Sequence, residues 1–257
     1  GDHQQADYPK RGRDYEDARA DKRDLRASGD PELSDDVTED MLDPAVRTHL
    51  KTLARDNAEV VARHLVMAGA LLDVDPATAH EHALAAQRHA ARVGVVREAL
   101  AMTAYRTGNY NLALREIHAF RRLTGTHAHE VIEADCERGM GRPERALEII
   151  AGVDRERLTD LFRVELTLVE SGARSDLGEH EAGLILIEDE LTRHYSPDLA
   201  ARLTSVKADR LAELGRDEEA ASARERAEAL DPEIYNGSRA AEGDEVDEDL
   251  TIVEDEA

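Results

Sequence analysis

The side chains here that could do chemistry are eleven histidines, one cysteine and a large excess of carboxylates. The densest histidine groups, His80-Glu81-His82 and His127-Ala128-His129-Glu130, are the places to look for metal ligation. Residues two apart on a helix point about 200° away from each other, so His80 and His82 cannot grip one ion together. The pair at 127 and 129 escapes that objection in a loop, but neither pair has a cysteine or carboxylate at ligand spacing. Solvated turn histidines are the expectation, with no metal and no cofactor. The sequence contains no His-Glu-x-x-His, no Gly-x-x-x-x-Gly-Lys, no Gly-x-Ser-x-Gly and no Cys-x-x-Cys. Cys136 is alone, which excludes an internal disulfide, and it falls in a predicted helix where a small buried hydrophobe is expected instead of a nucleophile. With 57 Asp and Glu, close acid pairs follow from surface charge. No catalytic residue is expected, and the chain reads as a non-enzyme.

The elements that must position any site are marked by a spaced motif. Gly108-Asn109-Tyr110-Asn111-Leu112-Ala113, Gly141-Arg142-Pro143-Glu144-Arg145-Ala146, Gly178-Glu179-His180-Glu181-Ala182-Gly183 and Gly215-Arg216-Asp217-Glu218-Glu219-Ala220 each place a small residue five positions after a glycine. The glycines lie 33, 37 and 37 residues apart, the period of stacked helical hairpins. Seven residues before each glycine stand Ala101, Ala134, Ser171 and Ala208, where a small side chain lets two helices approach. Nine residues after stand Ile117, Ile150, Ile187 and Arg224. The isoleucines fit a face covered by the next hairpin, and the arginine fits the polar outer face of a terminal repeat. Asp75-Pro76-Ala77-Thr78-Ala79-His80 suggests a degenerate unit at the front.

Helices are expected at 44–53, 56–73, 76–91, 95–107, 110–123, 128–140, 143–152, 157–176, 180–193, 197–214 and 217–230. Asp43-Pro44, Asp75-Pro76 and Ser196-Pro197 mark three starts, each with a capping side chain followed by proline in the first turn. No segment alternates like a strand. The long intervals predict the least regular stacking near 153–160 and 190–197.

This pattern of small residue, Gly and Ala resembles the tetratricopeptide repeat, over roughly residues 56 to 232, with Pro232 where the repeat's closing proline would fall. The bulky aromatic usual near the start of the first helix is missing, and Gly183 replaces the alanine in one unit. The layout is also similar to actinobacterial repeat proteins of this kind with no assigned chemistry. The resemblance implies an all-α, right-handed α-solenoid of four to five antiparallel hairpins whose first helices line a concave groove. Carried over by distance from each glycine, the groove set is Val95, Glu98, Met102, Tyr105 and Arg106, then Val131, Asp135 and Arg138, then Glu165, Leu168 and Ser175, then Arg202, Ser205 and Asp209. Glu98, Met102, Tyr105, Arg106, Asp135, Arg138, Arg202 and Asp209 are its principal partner-binding candidates. The Lys and Asn pattern with which chaperone-cofactor members of the family clamp a C-terminal carboxylate does not occur at these positions.

Composition sets the partner class. The formal net charge is -24 and aromatic content is 3%, so the core must be built from Leu, Ile, Val and Ala, and contact with nucleic acid is disfavoured. Residues 1–38 interleave Arg, Lys and Asp with few apolar residues, the composition of a disordered tail. The repeat domain is expected over 39–234. Residues 235–257 read as a second disordered tail, acidic, with one apolar knot at Leu250, Ile252 and Val253. No signal peptide or apolar run long enough to span a bilayer is present, so a cytoplasmic location is expected. Two functions follow: a scaffold holding a peptide or protein segment in its groove, or an acidic regulator whose tail sequesters a basic protein, a nucleic-acid-binding protein being one such partner.

Overall fold

The computed structural model describes residues 29–235. Among them are eleven α-helices, two short 3-10 turns and no strand. The tails expected over 1–38 and 235–257 fall largely outside the described residues. The chain divides into two compact units, Gly1–His127 and Ala128–Ala257. The division falls beside the segment 125–129, which no helix covers, and not at the long intervals where irregular stacking was expected.

In the first unit a 3-10 turn, Glu39–Met41, precedes α1 (Pro44–Thr48), α2 (Arg55–Leu71), α3 (Pro76–Ala90), α4 (Gly94–Arg106) and α5 (Tyr110–Thr124). Helix α1 is shorter than the expected 44–53, and the chain after it continues in turns that still bury Leu50. Asp43 and Asp75 cap α1 and α3 by accepting backbone N–H bonds at 2.7 and 3.1 Å, as their Asp-Pro pairing suggested. Helix α2 packs on α3 and on α4, and α4 packs on α5. Val61, Ala62, Leu65, Ala86, Ala90 and Val96 form one buried cluster, and Ala68, Ala83 and Leu100 a second. The alanines on α3 let α2 and α4 close on it without large side chains between them.

The second unit holds α6 (Glu130–Gly139), α7 (Pro143–Ala151), a 3-10 turn at Arg155–Arg157, α8 (Asp160–Asp176), α9 (His180–Glu190), α10 (Pro197–Glu213) and α11 (Asp217–Leu230). Pairs α6/α7, α8/α9 and α10/α11 are hairpins, and the first helices stack in series, α6 on α8 and α8 on α10. Helix α10 starts at Pro197 as expected, although Ser196 makes no capping bond. Each unit is thus a stack of antiparallel helix hairpins, the building principle of an α-solenoid.

The spaced glycines close the hairpins identically. Gly108, Gly141, Gly178 and Gly215 have φ of 72, 73, 77 and 72°. The amide after each bonds the carbonyl five residues back, from Asn109 to Ala104, Arg142 to Glu137, Glu179 to Arg174 and Arg216 to Leu211, at 2.8–3.0 Å. This is the Schellman closure, and it needs a residue that tolerates left-handed backbone. Ala101, Ala134, Ser171 and Ala208 are fully buried, as are Ala113, Ala146 and Ala220. Ile117, Ile150 and Ile187 are buried as the repeat register required, each worth about 1.5–3 kcal/mol of apolar burial, while Arg224 is exposed on the last helix.

Candidate functional site

Register from the glycines selects one face of each first helix, and in the first unit that face carries an apolar cleft of about 230 Å³. Leu42 and Val46 form one wall, Leu65 and Leu72 come from α2, and Val95 and Met102 from α4, with Glu98 at the polar edge. Leu65 and Leu72 lie two turns apart on one stripe of α2, and Val95, Glu98 and Met102 lie at i, i+3 and i+7 on α4, so helical period alone aims them at the same space. Tyr105 stands further along α4 with its ring 6.1 Å from that of Tyr110. Arg106, at the helix end, is exposed and pairs with Asp73 beyond the end of α2.

Two of the charged candidates of the second unit, Arg138 and Arg202, are tied to neighbouring first helices. Arg138 on α6 donates from Nη1 to Asp135 Oδ1 at 2.9 Å and from Nε to Asp176 Oδ2, on α8, at 2.8 Å. Burial works against the cation, but Asp135 and Asp176 more than offset it and raise the guanidinium pKa. The guanidinium lies against α8 where Gly172 leaves room: a Cβ there would stand 2.8 Å from Cζ. Arg202 on α10 pairs with Glu165 on α8. Asp209 is exposed on α10, where Arg210 and Arg224 act on its carboxylate. The structure therefore brings Glu98 and Met102 into one cleft, joins Asp135 to Arg138, and leaves Arg106, Arg202 and Asp209 apart from those two groups.

Three arrangements were not visible in the sequence. At the end of α8, Ser175 Oγ donates to Glu213 Oε2 at 2.6 Å and lies 2.9 Å from His180 Nδ1, which is itself 2.9 Å from the same carboxylate oxygen. A serine relay needs the imidazole to hold the acid through one nitrogen and the serine through the other. Here Nδ1 faces both and the hydroxyl proton points to the acid, so the trio is a hydrogen-bonded joint between α8, α9 and α10. Deeper in the same unit Glu190 is buried, accepting from Thr167 Oγ1 at 3.2 Å and from the Tyr195 hydroxyl.

The third arrangement corrects the reading of the histidines as solvated turn residues. His80 and His82 lie on α3, and His82 is 2% exposed. His82 Nδ1 meets His64 Nδ1 at 2.9 Å, while His80 Nδ1 meets Thr103 Oγ1 at 3.0 Å. Burial is the main cause that lowers the pKa of His80 and His82, and it takes His64 down to about 4. His89 stacks on His64 at 6.5 Å and bonds Asp30 through Nε2 at 2.6 Å. Beside this layer, segment 30–35 and α2 line an open cavity of about 1040 Å³. Alternating spacing on α3 aimed His80 and His82 apart as expected, but each found a partner on another helix. Among the described residues no group of three or more His, Cys, Asp or Glu could hold a metal ion. Cys136 is buried as expected, which pushes its thiol up to about 12.

No helix among the described residues is long and apolar enough to cross a membrane. Neither a protein-family model nor a curated protein sequence matches this chain.

Proposed function

We propose that this chain is a non-enzymatic, cytoplasmic interaction scaffold of the tetratricopeptide kind, taking a peptide or protein segment on the first-helix face of its hairpins. The observation that carries the reading is the cleft of the first unit. Val95, Glu98 and Met102, selected by repeat register, line one apolar hollow with Leu42, Val46 and Leu72. A hollow of about 230 Å³ accepts an anchoring apolar side chain, and the backbone and polar groups around it would set the direction of the bound segment. The ionic candidates of the second unit fit a supporting role, since Arg138 and Arg202 bridge adjacent first helices and keep that face in register.

The test is site-directed photo-crosslinking in the native cell, with a crosslinking amino acid at Met102 and, as control, at exposed Ala221 on α11. The scaffold reading expects a discrete protein adduct at Met102 that is absent at Ala221 and is lost when Val46→Asp puts a charge in the cleft. Identical adduct patterns at both positions would sink it.

A further inference from the structure

The first hairpin contains a buried bond between two side chains that both titrate. His64 on α2 and His82 on α3 are each 2% exposed and meet through Nδ1 and Nδ1 at 2.9 Å. Only one hydrogen fits between those nitrogens, so one ring donates and the other accepts. A first added proton can sit on the outer nitrogen of the donating ring and leave the bond intact. A second must sit on the accepting Nδ1, which places two N–H groups head to head.

Segment 30–37 straddles the same two helices. At one end Asp30 accepts from Arg88 Nε at 2.7 Å and from His89 Nε2 at 2.6 Å, both on α3. At the other, Arg63 on α2 donates to Ser34 O at 2.9 Å and Val37 O at 2.7 Å. The segment thereby ties α2 to α3 from outside the helix pair.

We propose that the His64–His82 pair is an acid-sensitive latch: one shared hydrogen joins the two rings, beside the Asn57 Nδ2 bond to His89 O and the apolar packing between α2 and α3, and a proton on each ring parts the helices there and frees the segment that bridges them. The surrounding charges bear on that outcome. His82, Arg88 and His89 on α3 all disfavour a cation at His64, and only Asp30, already engaged by Arg88 and His89, favours one. Glu81 favours a cation at His82. Arg63 on α2 donates to the carbonyls of Ser34 and Val37. Glu32, Asp35, Asp56, Glu59 and Arg63 line the cavity that His64 also lines, so the protonated pair would face charges of both signs there, while the two N–H groups still meet head to head. Burial keeps His64 neutral until the pH approaches about 4, so the latch is closed at neutrality.

The experiment follows the imidazole nitrogens of the full chain by NMR from about pH 7 to about pH 3, a span that runs past the displaced His64 value of about 4. Amide protection is measured over the same range and corrected for intrinsic exchange. The latch predicts that both rings take up protons below the ordinary histidine range, His64 near about 4. Protection of α2 and α3 should fall about tenfold or more with that uptake while α8 and α9 keep theirs. His82→Asn, which still bonds His64 but cannot take the second proton, should hold α2 and α3 protected to lower pH. Uptake near pH 6.5 with protection unchanged overturns the proposal, as does an equal loss of protection in His82→Asn. Should that variant fail to fold, the wild-type titration decides alone.

Discussion

Gly183 occupies the position where the other three hairpins carry alanine, so repeat logic alone says that Gly183→Ala should stabilise the protein. The gain would come from helix propensity, about 1 kcal/mol. The structure reverses the sign. A Cβ on Gly183 would stand 2.9 Å from the backbone oxygen of Ser171, 3.2 Å from Ser171 Oγ and 3.2 Å from Arg210 Cδ. The nearest of these is main chain and cannot swing aside, so α8 and α9 must separate, an overpacking cost of about 1–3 kcal/mol. Separation also strains two bonds: Ser171 Oγ to Gly183 O at 3.0 Å and Arg210 Nη1 to Ser171 O at 3.1 Å. Weakening them adds about 1–2 kcal/mol, the second being charge-assisted. The net expectation is a loss of about 2 kcal/mol, read as a lower urea midpoint at unchanged slope. Ala146→Gly, the same register position in the preceding hairpin, should also destabilise, by about 1 kcal/mol or more, through propensity and lost burial. If Gly183→Ala unfolds at the same or higher urea than wild type, the claim that Ser171 and Arg210 dictate the glycine is wrong.

Gly141→Ala has open space for its Cβ but a φ of 73°, so it should cost about 1–2 kcal/mol through backbone strain alone, seen in thermal unfolding with the native spectrum intact. Gly141→Asn, which tolerates that backbone better, should recover part of the loss. The Cys136 thiol, pushed up to about 12 by burial and then by Asp135, Glu137 and Glu133, should resist alkylation in the native protein at mildly alkaline pH and react fully in denaturant; fast labelling of the folded chain would contradict its burial. Because burial holds His64 at about 4 instead of 6.5, the unfolded chain binds more protons between those values. His64's contribution to stability is therefore complete above about pH 6.5 and is lost as the pH falls toward 4, a change on the order of 3 kcal/mol that His64→Leu should flatten in pH-dependent urea titrations.

Much of the fold was legible because its signals are local. A glycine with left-handed backbone, an alanine five residues on and an isoleucine four beyond that are all set within one hairpin, and Ile117, Ile150 and Ile187 are buried where counting placed them. The helix ends at Asp43 and Asp75 were readable for the same reason. Val95, Glu98 and Met102 share a cleft because a helical period needs no knowledge of the partner helix. What stayed hidden depends on pairs brought together by packing. His64 and His82 are 18 residues apart and Arg138 and Asp176 are 38 apart, and no local pattern announces either bond. Gly183 read as a lapse from the repeat; it is one corner of a contact whose other corners, Ser171 and Arg210, lie on two different helices. Buried Glu190 was likewise indistinguishable in sequence from the solvated acids around it, because its partners Thr167 and Tyr195 come from outside its helix.

Arg224 stands where three earlier hairpins place an isoleucine, and it is exposed. A hairpin stack ending in an apolar stripe would be a template: the next surface of matching shape, on another copy or on a nascent chain, could add to it end on end. With an arginine exposed at that position, an added hairpin would have to strip water from its charge, a cost that isoleucine would not impose. If that charge is what keeps the face from being covered, Arg224→Ile should give a protein whose mass in light scattering rises with concentration, and an unchanged mass would show that the arginine has no such part.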